Sequence, residues 1–102
     1  MNVRILDVRT ERFIDSLDDI AAGKVTRIIK LLEMFGHQLS WPYSRKVYAR
    51  LFELRVHGRQ EIRIFYTFHK DEAVLLHGFI KKSERIPNDE LHTALRKFKY
   101  LI

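Results

Sequence analysis

Leu51-Phe52-Glu53-Leu54-Arg55-Val56, Ile62-Arg63-Ile64-Phe65-Tyr66-Thr67-Phe68 and Ala73-Val74-Leu75-Leu76-His77-Gly78-Phe79-Ile80-Lys81-Lys82 decide the fold of this chain. The first two stretches alternate polar and apolar residues, and in an extended backbone successive side chains point to opposite faces. One face therefore collects Phe52, Leu54, Val56, Ile62, Ile64, Tyr66 and Phe68. The other collects Glu53, Arg55 and Arg63, and two lysines close the third stretch. A sheet with an apolar back and a basic front is suited to holding phosphates. The third stretch is apolar on both faces, which places it inside the sheet rather than at an edge.

Working outward, Val3 to Val8 reads as a first strand. Thr10 is a candidate helix cap, with Phe13, Ile14, Leu17 and Ile20 at helical spacing. A break near Gly23 separates a second helix, whose apolar face is Val25, Ile28, Ile29, Leu32 and Phe35 and which stops at Gly36. His37 to Lys46 reads as a loop. Short polar connections at His57-Gly58-Arg59-Gln60 and His69-Lys70-Asp71-Glu72 join the three strands. Pro87-Asn88 opens a last helix with Leu91, Leu95 and Phe98 as its stripe. The order strand-helix-helix-strand-strand-strand-helix predicts an α+β two-layer fold. A helical hairpin covers one face of a small antiparallel sheet, and the other face stays partly open.

At 102 residues with 46% apolar side chains, the chain is expected to be one domain over residues 1–102. Nineteen Lys and Arg against thirteen Asp and Glu give a formal charge of +6, which favours a polyanionic partner such as nucleic acid. There is no cysteine, and hence no disulfide framework or thiolate metal site. No apolar run approaches the ~20 residues that span a bilayer, and the first residues lack an apolar leader. A cytoplasmic protein with no membrane partner is expected.

Arg63 is the foremost candidate for chemistry. It sits mid-strand between apolar neighbours, and its guanidinium fork matches phosphate oxygens. A cross-strand ion pair with Glu53 is the competing reading, and on the residues alone the more frequent one. Placed on the polar face, Arg63 is expected to be removable without loss of the core. Lys81 and Lys82 end the third strand, where parity sends only one of them to the basic face unless a bulge intervenes. Glu53 is a possible general base, although arginine neighbours would weaken it and structural pairing is the more frequent role. His77 lies in an otherwise apolar strand, where a satisfied core histidine is the commoner outcome. Tyr66 shares parity with Ile64 and so points to the core, whereas Trp41-Pro42-Tyr43 offers aromatic rings for stacking on bases. The five histidines show no metal-ligand spacing, and no cofactor or metal is expected.

Three motifs agree in order and spacing with a known family. These are Phe52-Glu53-Leu54-Arg55, then Ile62-Arg63-Ile64-Phe65-Tyr66, then Leu75-Leu76-His77-Gly78-Phe79-Ile80-Lys81-Lys82-Ser83 with Pro87. Over nearly its whole length the chain resembles the RelE/ParE toxin superfamily, and most closely its phage-derived, HigB-like branch. The resemblance implies the toxin of a type II toxin–antitoxin pair, a ribosome-dependent mRNA interferase. In such enzymes the ribose 2′-hydroxyl attacks the neighbouring phosphate in line and expels the 5′-oxygen without a metal. Arg63 would then hold the scissile phosphate, and Lys81 or Lys82 would stabilise charge or protonate the leaving oxygen. Arg45, Lys46, Arg55 and Arg85 would bind ribosomal or messenger phosphates. Glu53, His77 and Tyr66 are the candidates for the remaining acid–base and stacking roles. The implied partners are the ribosome, mRNA and a cognate antitoxin with a helix-turn-helix DNA-binding domain. RelE-type toxins carry lysines where this chain has Leu51 and Glu53, and a tyrosine that has no counterpart between Ser83 and Asn88. ParE relatives share the fold but act on DNA gyrase without catalysis. A gyrase inhibitor and an inactive basic RNA-binding domain are therefore the alternatives.

Overall fold

In the computed structural model, which describes residues 1–102, five strands form one mixed sheet. They are β1 (Asn2–Ile5), β2 (Ser44–Tyr48), β3 (Leu51–Val56), β4 (Glu61–His69) and β5 (Glu72–Lys81), in the order β1-β5-β4-β3-β2. β1 runs parallel to β5, and all other pairings are antiparallel. Three helices accompany the sheet: α1 (Val8–Asp15), α2 (Asp19–Phe35) and α3 (Asn88–Leu101).

The apolar face expected from alternation is the one packed under α1 and α2. Leu54, Val56, Ile62, Ile64 and Tyr66 meet Val25, Ile28 and Leu32 of α2, with Phe13 and Ile14 of α1 beside them. The opposite face is less open than expected. Leu51, Phe65, Val74, Leu76 and Phe79 form a second core with Ala94, Leu91, Leu95 and Phe98 of α3. Only the end of this face built from late β3, early β4 and late β5 is left to charged side chains. β5 is interior, flanked by β1 and β4, as its apolar faces require.

The expected loop His37–Lys46 contains the start of a fifth strand. Ser44, Arg45 and Lys46 pair with Leu54, Glu53 and Phe52. Its charged sequence hides it, but charge is what protects an edge strand from pairing with other chains. The helix boundaries also move. Asp7, rather than Thr10, caps α1 by accepting from the Thr10 amide at 3.0 Å. Asp18 caps α2 through the Ala21 amide at 2.8 Å, so the helical break falls before Asp18. Gly23 lies inside α2, where a glycine costs about 1 kcal/mol against alanine and is overruled by the cap and the buried face. Ile20 falls on the solvent side of that helix. Pro87 occupies the cap position of α3, with no side-chain cap bond.

A bulge in β5 sets which side chains reach the basic end. Phe65 pairs with His77 but Tyr66 pairs with Leu75, so Leu76 is the extra residue. Its carbonyl accepts from the Thr10 hydroxyl at 2.9 Å and the Lys97 ammonium at 3.0 Å. Lys97 also pairs with Asp7 at 2.8 Å, so the bulge ties α1 and α3 to the sheet. Beyond it, His77, Phe79 and Lys81 turn to the α3 face, and Lys81 comes opposite Glu61. Gly78 turns to the α1 face, where an added Cβ would lie 2.4 Å from the Phe13 ring, so no larger residue fits without movement.

Candidate functional site

Glu53 sits at the centre of the charged end and is fully buried. Three arginines from three strands surround its carboxylate. Arg45 Nε on β2 donates to Oε1 at 2.9 Å, Arg55 Nε on β3 lies 3.8 Å from the same oxygen, and Arg63 Nε on β4 lies 3.7 Å from Oε2. Arg55 and Arg63 face each other in register. The two like charges stay side by side because one carboxylate lies between them. Burial lowers the pKa of Arg55, the Arg63 charge lowers it further, and Glu53 opposes both.

Arg63 is only 2% exposed, deeper than the open polar face expected for it. Its Nη1 donates to the Ile62 carbonyl at 3.1 Å and its Nη2 to Glu61 Oε1 at 3.2 Å. Removing it would strip a partner from a buried carboxylate, so its loss is not neutral for the fold. Four atoms of the buried cluster have no hydrogen-bond partner: Glu53 Oε2, Arg55 Nε and Nη1, and Arg63 Nε. The two Nε donors lie just beyond hydrogen-bond distance of Glu53, the anion they face, so the cluster is held by charge more than by formed hydrogen bonds.

Arg63 lines an open cleft of about 320 Å3 together with Glu61, Lys81, Lys82, Ser83 and Glu84. Both lysines thus border the same space. Lys81 reaches it through the shifted register and Lys82 through the turn that follows β5. Glu61 is the residue that sequence reasoning missed. Burial raises its pKa, but hydrogen bonds from His57, Arg63 and the Gly58 amide outweigh that and hold it below the ordinary carboxylate value. His57 Nδ1 lies 2.8 Å from Glu61 Oε1, completing a line His57–Glu61–Arg63. The signal was available, because Glu61 and Arg63 share strand parity. A charged residue at a strand end simply reads as solvated.

The other candidates lie elsewhere. Tyr66 is in the helical-face core, where its hydroxyl meets Ser44 Oγ at 2.6 Å and burial raises its pKa, so it does not join the cluster. Alternation in β4 puts it on the face opposite Arg63. His77 is on the right face but at the α1–α3 end. Its Nε2 is 3.2 Å from Glu90 Oε1, in a separate cleft of about 290 Å3 with Arg9 and Lys97. Lys46 is exposed and pairs with Phe52, so it points to the helical side of the edge strand. Arg85 is exposed in the segment between β5 and α3, outside the cleft. Glu53, Arg55, Arg45, Arg63, Lys81 and Lys82 are the residues the fold brings together.

The family model "Phage derived protein Gp49-like (DUF891)" matches residues 12–99, a span that includes the whole charged cluster. The chain belongs to this phage-derived Gp49-like family. The family is RelE/toxin-like, consistent with a toxin–antitoxin context. A search of curated proteins finds no match. In this Gp49-like chain no group of three or more His, Cys, Asp or Glu side chains is placed to hold a metal ion. No helix is long and apolar enough to cross a membrane.

Proposed function

We propose that this Gp49-like chain is the toxin of a type II toxin–antitoxin pair, of the HigB-like kind, and that it cleaves mRNA on the ribosome in the cytoplasm. The observation that carries the reading is the cleft in which Arg63, Lys81 and Lys82 converge. A scissile phosphate seated there would meet cationic groups from β4, from β5 and from the segment that follows β5 at once. The 2′-hydroxyl oxygen forms a bond to phosphorus while the bond to the 5′-oxygen breaks. Charge that builds on the phosphorane faces Arg63 and the lysines. Glu61, which lines the same cleft, takes the proton from the 2′-hydroxyl; its lowered pKa makes it a weak base, so the cationic groups carry most of the acceleration. A lysine gives a proton to the departing 5′-oxygen, leaving a 2′,3′-cyclic phosphate and a 5′-hydroxyl. Glu53 serves differently: it is buried among arginines and acts as the post that fixes them. A cognate antitoxin is the expected partner, keeping so basic a protein inactive in its own cell.

The test is induction of the protein in growing cells with sequencing of transcript 5′ ends. Cuts inside translated codons are expected. Arg63→Lys, which keeps a charge opposite Glu53 but loses the planar fork, should fold and lose cleavage. Growth arrest with DNA breaks and intact transcripts would instead mark a gyrase inhibitor. No arrest would mark a non-catalytic RNA-binding domain.

A further inference from the structure

Beside the cluster lies an aromatic residue that the proposed chemistry does not use. Trp41, the only tryptophan in the chain, is 62% exposed. The Arg55 guanidinium lies 4.0 Å from its ring centroid. Arg55 is itself mostly buried and points into the arginine cluster. A large aromatic ring that is backed on one side by a fixed cation and otherwise open is an unusual thing to leave in water. It also borders a second cleft of about 190 Å3, where Tyr43, Phe35 and Leu39 supply apolar wall and Gln38 and Ser40 supply polar groups.

We infer that Trp41 is a stacking platform for one unpaired nucleobase of the strand whose phosphate occupies the Arg63 cleft. The inference rests on the phosphate-binding reading above and adds a base subsite to it. Three observations favour a nucleobase over a purely apolar occupant. The ring is continuous, through Arg55, with a strip of five cations. Cations interleaved with exposed aromatic rings are how single-stranded nucleic acid is held, since every base has a π-face and every linkage a charge. The spacing also fits. Arg55 and Arg63 are cross-strand neighbours, so a base on Trp41 lies roughly 10 Å from Arg63, within one or two nucleotides of a bound phosphate. Gln38 and Ser40 are placed to contact the base edge and so to give a modest base preference.

A single tryptophan makes the test direct. The probe is a short single-stranded oligodeoxynucleotide, which lacks the 2′-hydroxyl and is not cleaved. A second strand of equal length and charge carries abasic positions throughout. Binding of each is followed by anisotropy of a terminal label, and stacking by quenching of Trp41 emission with the unlabelled strands. The base-bearing strand should quench and the abasic strand should bind without quenching. Trp41→Ala should weaken the base-bearing strand about 5- to 150-fold. It should leave the abasic strand unchanged, and Trp41→Phe should restore much of the loss. Equal quenching by both strands, or binding of the base-bearing strand without quenching, would overturn the stacking inference while leaving phosphate binding standing. Binding of neither strand would overturn both, and binding of the base-bearing strand alone would overturn phosphate binding in the Arg63 cleft while leaving stacking standing.

Discussion

Replacing Glu53 by glutamine removes one negative charge and almost no volume, so it isolates what the buried carboxylate does. In the native protein that carboxylate lies within 4 Å of guanidinium nitrogens of Arg45, Arg55 and Arg63. The side chains of Arg63 and Arg55 are 3% and 11% exposed, so water cannot take over the lost role. Removing one partner from a buried ion pair costs about 3–5 kcal/mol. Glutamine keeps an oxygen for Arg45, and Arg45 is 41% exposed and well hydrated, so the low end applies, about 3 kcal/mol. For a domain of this size that lowers Tm by roughly 12–24 °C. An anion should offset part of the defect from the adjoining Arg63 cleft, because three cations are left without their buried counter-charge. Thermal melts in chloride and in phosphate at matched ionic strength measure this. Glu53→Gln should gain more Tm from phosphate than the wild type, whose gain reports binding in the Arg63 cleft together with general salting effects. A Glu53→Gln protein that melts at the wild-type temperature would refute the reasoning, because the three arginines would then need no buried counter-charge. Equal phosphate gains in the two proteins would refute the anion-site part alone.

Lys81→Ala and Lys82→Ala should each retain part of the cleavage activity, since both side chains border the Arg63 cleft, and the double variant should lose far more than either. Full activity in the double variant would reduce both lysines to solvated surface. Gly78→Ala should destabilise by about 1–3 kcal/mol through the clash with Phe13, read as a lower denaturant midpoint with unchanged m. An unshifted midpoint would mean α1 rides further from β5. Burial tends to raise the Asp7 pKa, but the Lys97 and Thr10 hydrogen bonds win and hold it below its ordinary value of 3.8. The folded pKa is below the unfolded one, so this stabilisation is complete above the ordinary value and is lost as pH falls through the folded one. Asp7→Asn keeps an N-cap oxygen for α1 but should flatten the fall in stability below pH ~4.

What the sequence could and could not disclose follows from the physics of each element. Strand parity is local, so the apolar face from Phe52 to Phe68 and the grouping of Glu53, Arg55 and Arg63 were readable from alternation alone. β2 was not readable, because Ser44-Arg45-Lys46 owes its extended form to pairing with β3 and its charge to being an edge. The side of β5 on which Lys81 emerges was not readable either. It depends on one extra residue, Leu76, whose freed carbonyl is stabilised by Thr10 and Lys97, residues 66 and 21 positions away. Burial depth was the largest gap. Alternation puts Arg63 on a polar face, but polar does not mean solvated when neighbouring strands supply Arg45, Glu53 and Arg55 to cover one another. That difference changes what the site can do. An arginine waving in water meets a phosphate only after giving up side-chain entropy and hydration. Arg55 and Arg63 have already given up both, and they retain donors with no acceptor of their own. A carboxylate shared among three of them leaves the group net cationic, so it can fix the arginines in place without satisfying them. In this fold Glu53 therefore earns its buried position as the residue that makes the basic face rigid, a role that no count of charges along the chain would assign to an acid.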